Sequence, residues 1–215
     1  MSRIIAGSRG GRRIATPPGS RTRPTSDRVR EALFSAVAAW AGTADAVADQ
    51  ALAGLAFADL YAGSGAVGLE AASRGAGPVL LVEADKRTAA VTSRNARDLG
   101  LAAQVRTGRV ETVLAAPGAR AYDVVFLDPP YEVSGEAVAA VLTALQQGGW
   151  LAEGALLVVE RSRRTPDPVW PPVVGESWSR SYGDTVLHYG SCVRAAPATG
   201  PANGPTDPAT DTLAS

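Results

Sequence analysis

The chain has 215 residues, 46% hydrophobic and 20% charged, with no net charge; these are the proportions of one globular domain, or one domain with an appendage. No apolar run approaches the roughly 20 residues needed to span a bilayer, and "MSRIIAGSRGGRR" at the start has no apolar signal-peptide region, so a cytoplasmic protein is expected. With one cysteine, Cys192, and one histidine, His188, the chain offers neither a disulfide nor a cysteine zinc site, and a Ser-His triad or His-rich metal site is disfavoured.

The charge is unevenly placed. Residues 1–30 hold arginines at 3, 9, 12, 13, 21, 23, 28 and 30 against the single acid Asp27, a local +7 that the remainder cancels. Lys86 is the sole lysine. Arginine pairs bidentately with phosphate and stacks on bases, so a basic arm on a neutral body is a nucleic-acid footprint. A solvated tail is the alternative. Against it, "RIIAG" and "RRIAT" alternate like strands around "SRGG", which predicts a basic β-hairpin over residues 1–16. "TPPGSRTRP" reads as a loop. "TSDRVREALFSAVAAW" predicts a helix capped by Thr25 or Ser26, with Val29, Leu33, Ala36, Val37 and Trp40 as its apolar stripe and Arg28, Arg30 and Glu31 facing outward.

From residue 55 the pattern alternates strand and helix, the mark of a parallel α/β sheet. "LAFADL" predicts a strand, followed by a glycine turn and the helix "AVGLEAASRG". "PVLLVEAD" and "KRTAAVTSRNARDLG" form the next strand and helix. "AAQVRTG" is a weaker strand before the short helix "VETVLAA". "YDVVFLD", the helix "GEAVAAVLTALQQGG" and the strand "ALLVVER" follow. "SWSRSYGDTVLHYGS" alternates like a hairpin turning near Gly183. The expected organisation is an N-terminal extension over 1–45, a sheet domain over 46–193, and a disordered tail over 194–215 rich in Ala, Pro and Thr.

Two motifs carry chemistry. "GSGAVG", with Gly63, Gly65 and Gly68, follows a strand and opens a helix, where glycines let backbone approach a ligand at the helix N-terminus. Glu83 closes the next strand twenty residues after Gly63, placed to bond ribose hydroxyls. An ordinary strand-helix turn is the bland reading. Dinucleotides and S-adenosylmethionine share this geometry. Asp59 favours the second, because a carboxylate there suits a methionyl ammonium better than a pyrophosphate; a turn-capping role is its alternative.

The second motif is "DPPY", Asp128 to Tyr131, at the end of a strand expected to run beside the first, and so at the switch point where such sheets bind ligands. An exocyclic base amine is a poor nucleophile because its lone pair is delocalised into the ring. The Asp128 carboxylate and the Pro129 carbonyl form an acceptor pair for its two N–H groups and aim the lone pair. Pro129 and Pro130 stiffen the loop, and Tyr131 offers a face on which a flipped base stacks. A rigid turn with a surface tyrosine is the plain alternative. No metal is required.

"DLYAGSGAVGLEA" with "DPPY" resembles the Rossmann-type enzymes that methylate exocyclic amines of bases. "RIIAGSRGGRRI" followed by "RPTSDRVREALF" is similar to the RsmD-type family, over roughly residues 2–192. The resemblance implies a seven-stranded Rossmann-like α/β methyltransferase sheet with its last strand antiparallel, preceded by the β-hairpin and helix extension. It implies methylation of guanine N2 in 16S rRNA, with that rRNA or a small-subunit assembly particle as partner. It implies a cofactor site of Asp59, Tyr61, Ala62 and the loop glycines, with Glu83 and Ala84, and with Gly108, Arg109 and Val110 bordering the adenine. Arg109 stands where an acidic residue is common in such enzymes. Arg3, Arg9, Arg12, Arg13, Arg21, Arg23 and Arg28 are the RNA-binding candidates. An adenine-N6 methyltransferase shares DPPY. A nicotinamide oxidoreductase would share the glycine loop but lacks an evident acid-base set here. A noncatalytic assembly factor would have no need of an intact DPPY.

Overall fold

The computed structural model describes residues 2–17 and 26–194. Arg21, Arg23, the alternative cap Thr25, most of the expected loop and the tail from 195 lie outside the described residues.

The expected hairpin is present but short. Strand β1 (Ser2–Arg3) pairs antiparallel with β2 (Arg13–Ile14), and a single turn of 3₁₀ helix, Gly7–Arg9, lies between them. The ladder stops early because another element takes the backbone groups. Buried Glu70 accepts the amides of Ile5 (2.6 Å) and Ala6 (2.9 Å), and the Ser73 hydroxyl accepts that of Arg9 (2.9 Å) while donating to the Ala6 carbonyl (2.7 Å). Gly7 holds φ +79° against Ser73, whose carbonyl oxygen would lie 2.0 Å from any Cβ there.

Helix α1 (Asp27–Trp40) begins at Ser26, whose hydroxyl accepts the Val29 amide. Its buried face is rotated from the expected stripe: Val29, Leu33, Phe34, Val37 and Ala38 are buried, while Ala36 and Trp40 are only half-buried. Arg30 corrects the sequence reading outright, because its side chain is fully buried. Its guanidinium donates to Ser2 Oγ (3.0 Å), the Arg3 carbonyl (2.7 Å) and Asp27 (2.8 Å). The hairpin lies over that side of the helix, so a position that a bare helix would expose is covered.

The main sheet contains β3 (Phe57–Asp59), β4 (Val79–Glu83), β5 (Gln104–Thr107), β6 (Tyr122–Leu127), β7 (Leu151–Ser162), β8 (Val174–Tyr182) and β9 (Thr185–Cys192), in the order β5-β4-β3-β6-β7-β9-β8. The first five are parallel, and β9 runs antiparallel to both neighbours, the seven-stranded arrangement expected. β7 starts four residues before the expected strand, because Gly154 at φ +71° admits a register irregularity opposite Tyr122 and Val124.

Helices α2 (Ala66–Ser73) and α3 (Lys86–Leu99) join α1 on one face of the sheet. On the other face lie α4 (Val110–Leu114) and α5 (Gly135–Gln147). Ile4, Ile14 and Leu33 belong to the same core cluster as Phe57 and Leu81, so the N-terminal extension shares its core with the sheet. Among the described residues no helix is long and apolar enough to cross a membrane, and no three His, Cys, Asp or Glu side chains gather as metal ligands.

Candidate active site

The strand order reverses at β3, which lies between β4 and β6, and the crevice beyond the carboxyl ends of these strands is where open α/β sheets take ligands. A cavity of about 470 Å³ opens there, within the usual range for small-molecule sites.

The glycine loop forms one wall, and its three glycines do different work. Gly63 has φ +54°, and a Cβ on it would meet nothing within 4 Å, so backbone faces open space. Gly65, the N-cap of α2 at φ +82°, abuts Thr92, whose Cγ2 would lie 2.8 Å from a Cβ. Gly68 lets α2 lie close to the sheet, since a Cβ there would come within 2.1 Å of Leu81 Cδ2. Gly63 and Gly65 are thus the positions where positive φ matters.

Asp59 sits on the cavity wall and is 1% exposed. Its Oδ2 accepts the Gly68 amide at 3.0 Å, while Oδ1 has no hydrogen-bond partner among the described residues. Burial pushes its carboxyl up to about 7; the backbone N–H groups of Gly68 and, more weakly, Tyr61 oppose the shift, and the charges of Asp128 and Glu83 add to it. An orphaned buried carboxylate oxygen facing a cavity suits a cationic or N–H-donating ligand group. Glu83 also lines the cavity, and its two oxygens accept the amides of Gly63 (2.9 Å) and Asp85 (2.8 Å). It therefore shapes the loop while each oxygen keeps lone-pair capacity for a ligand hydroxyl.

Tyr61, Ala62, Ala84, Arg109 and Val110 line the cavity as well. The Tyr61 hydroxyl is buried with no partner among the described residues, and burial pushes its ionisation up to about 12. Gly108 is absent from the lining; its amide donates to the Glu83 carbonyl at 2.9 Å and so sets where Arg109 and Val110 emerge. Arg109 is largely exposed and lies 3.5 Å from Glu111.

DPPY forms the opposite wall only in part. Asp128 and Pro130 line the cavity; Pro129 is buried behind them, and Tyr131 is 69% exposed outside it. The loop closes through Val133 N–H to the Pro130 carbonyl (2.9 Å), and buried Arg161 donates to the Val133 carbonyl (2.8 Å).

Several lining residues carried no sequence signal. Phe126 reads as plain core, and Thr16 and Pro17 read as loop, yet all three border the cavity. Of the basic candidates, Arg3, Arg12, Arg13 and Arg28 are exposed, Arg3 pairing with Asp27 on the surface (3.1 Å), whereas Arg9 is half-buried and donates to the Leu99 carbonyl.

A parallel sheet whose final strand is antiparallel, with a glycine-loop cavity at its switch point, defines the class: a Rossmann-like methyltransferase fold of the S-adenosylmethionine-dependent type. The model of the family described as conserved hypothetical protein 95 matches residues 2–191, and the chain belongs to that family, the RsmD-type. Ribosomal RNA small subunit methyltransferase D of Escherichia coli K12 is 36% identical over 171 residues, 79% of this chain and 79% of that protein. The Bacillus subtilis protein YlbH is 32% identical over 170 residues, covering 77% and 85%. The solved structure of the Escherichia coli protein yhhF superimposes with a TM-score of 0.74 at 30% identity, covering 89% of this chain and 98% of that one.

Proposed function

We propose that the chain is an S-adenosylmethionine-dependent rRNA methyltransferase that modifies the exocyclic N2 amine of a guanine in 16S rRNA, either free or in a small-subunit particle. The observation that carries this reading is the pairing of two carboxylates on one cavity: orphaned Asp59 beside the glycine loop and Asp128 at the head of DPPY. Membership of the RsmD-type family supplies the RNA context. A cytoplasmic location follows from that substrate.

S-adenosylmethionine, when bound, supplies an electrophilic methyl group. In this reading Asp59 holds the methionyl ammonium, Glu83 accepts from ribose hydroxyls, and Arg109 and Val110 border the adenine. The Asp128 carboxylate on the cavity wall accepts an N–H group of the target amine, turning its lone pair out of the ring plane; Pro129, which does not line the cavity, has no part in this role. Asp128 then stabilises the positive charge that grows on that nitrogen, and the proton leaves to water afterwards. Tyr131, exposed at the lip, offers its ring to the flipped base. Exposed Arg12, Arg13 and Arg28 take phosphates.

The test is transfer of labelled methyl from S-adenosylmethionine to small-subunit rRNA, presented naked and as assembled particles, with nucleosides resolved by mass spectrometry. N2-methylguanosine is the expected product. N6-methyladenosine would replace the guanine assignment, and no labelled nucleoside from either substrate would retire the reading.

A further inference from the structure

We infer that Asn95 is a positioning residue that joins the cofactor loop to the basic arm, so that filling the cavity tightens the arm's hold on RNA. The inference rests on the cofactor and RNA roles proposed above and adds a physical link between them.

Asn95 sits on α3, between the two elements, and is 3% exposed. Its Nδ2 donates to the Ser64 carbonyl of the glycine loop and to the Ala15 carbonyl of the arm, both at 2.9 Å. Its Oδ1 accepts the Ala15 amide, also at 2.9 Å. One buried amide thus satisfies both backbone groups of a residue 80 positions away and, at the same time, a carbonyl of the ligand loop. One turn earlier on the same helix, Thr92 donates to the Gly63 carbonyl, so α3 grips two successive loop residues.

The arm reaches the cavity directly as well. Thr16 and Pro17, next after Ala15, line it. Immediately before Ala15 come Arg13, exposed, and Ile14, buried in the core. The path from cavity to phosphate-binding side chain is therefore loop carbonyl, Asn95 amide, Ala15 peptide, Arg13. A ligand that orders the loop and packs on Thr16 and Pro17 removes freedom from the same short segment that RNA must order. The second ligand then finds part of the ordering already done, which is positive coupling.

The experiment uses the full chain with S-adenosylhomocysteine as the cavity probe. Calorimetry first establishes that the probe binds; no binding overturns the cofactor reading and this inference together. With binding established, amide hydrogen exchange is followed at Ala15 and at Ile4, whose N–H closes the hairpin on the Arg12 carbonyl. Exchange at both should slow by about fivefold or more in the wild-type protein, the low end of ordinary coupling. Unchanged exchange at Ala15 with the probe bound overturns the inference and leaves the cofactor reading standing. Asn95→Ala should abolish the slowing at Ala15, whereas an Asn95 that merely supported the fold would lower the melting temperature and leave the slowing in place. The slowing in the wild-type protein decides the matter by itself should the variant fail to fold. In fluorescence anisotropy with a small-subunit rRNA transcript, the probe should tighten binding by a similar factor in the wild type; an unaltered affinity counts against the link.

Discussion

Asp59 is under two opposed demands. Burial favours its neutral form, while the proposed ammonium partner needs its charged form. The sign of the pH dependence follows. Its folded-state carboxyl is raised to about 7 from an ordinary 3.8, so between those values the ligand-free native protein binds more protons than the unfolded chain. The stability contributed by Asp59 is therefore present at low pH, is lost as pH rises from about 4 to about 7, and is constant above. Ligand affinity should run the other way. Calorimetric titration of S-adenosylhomocysteine should show its Kd falling by up to about tenfold per pH unit as pH approaches 7, then levelling. Asp59→Asn should flatten that profile and weaken binding at pH 8. At Asp128, the Ala variant should lose on the order of 10²–10³ in single-turnover methyl transfer with its fold intact, and Asn, which keeps an acceptor oxygen, should lose less. Wild-type rates in both variants would reduce DPPY to a turn.

Among the elements, α2 shows how tightly the site is built into the core. Gly68 lies inside this helix, where Ala would ordinarily gain about 1 kcal/mol from helix propensity. Here a Cβ would meet Leu81 Cδ2 at 2.1 Å and Asp59 Cβ at 3.2 Å. Leu81 is itself fully buried and has nowhere to yield, so overpacking of about 1–3 kcal/mol wins. Urea unfolding of Gly68→Ala should show a net loss of up to about 2 kcal/mol, and the displaced Asp59 should weaken S-adenosylhomocysteine binding as well. The other end of α2 ties down the arm. Glu70 is fully buried, accepts two arm amides and pairs with Arg74 at 2.9 Å. Glu70→Ala would strand all three donors and should cost about 3–5 kcal/mol, the scale for halving a buried ion pair, readable as a lower urea midpoint.

Across the whole molecule, charge separation sets the RNA-binding expectation, and the structure redistributes it. Arg9 and Arg30 are held internally, by the Leu99 carbonyl and by Ser2 with the Arg3 carbonyl, while Arg3 is exposed but paired on the surface with Asp27. Arg12, Arg13 and Arg28 remain exposed on the arm and the first turn of α1. Replacing these three by Gln should reduce the slope of log K against log salt by about 0.7–0.9 for each phosphate that is no longer neutralised, measured by anisotropy with the rRNA transcript. S-adenosylhomocysteine affinity in the absence of RNA should hold, since none of the three lines the cavity. An unchanged slope would move the RNA footprint elsewhere.

The order of strands and helices, the glycine loop, the terminal hairpin and the DPPY turn were all legible in the sequence, because each is set by local rules: alternation, helical periodicity, caps and turn residues. Asp59, Glu83 and Asp128 were legible for a related reason, since the carboxyl ends of parallel strands meet at a switch point wherever the chain alternates strand and helix. Whatever depends on one element covering another was decided only by the tertiary structure. A helical wheel exposes Arg30, and the hairpin laid over it buries it. A β-ladder would have extended past Ile4, whose N–H still bonds the Arg12 carbonyl, but Glu70 on a helix 65 residues away takes the amides of Ile5 and Ala6. Asn95 reads as an ordinary polar position on α3, and only the packing of arm against loop sets its amide between Ala15 and Ser64. Local sequence fixes dihedral preferences within a few residues, whereas a buried hydrogen bond between distant segments exists only once the core has brought them together.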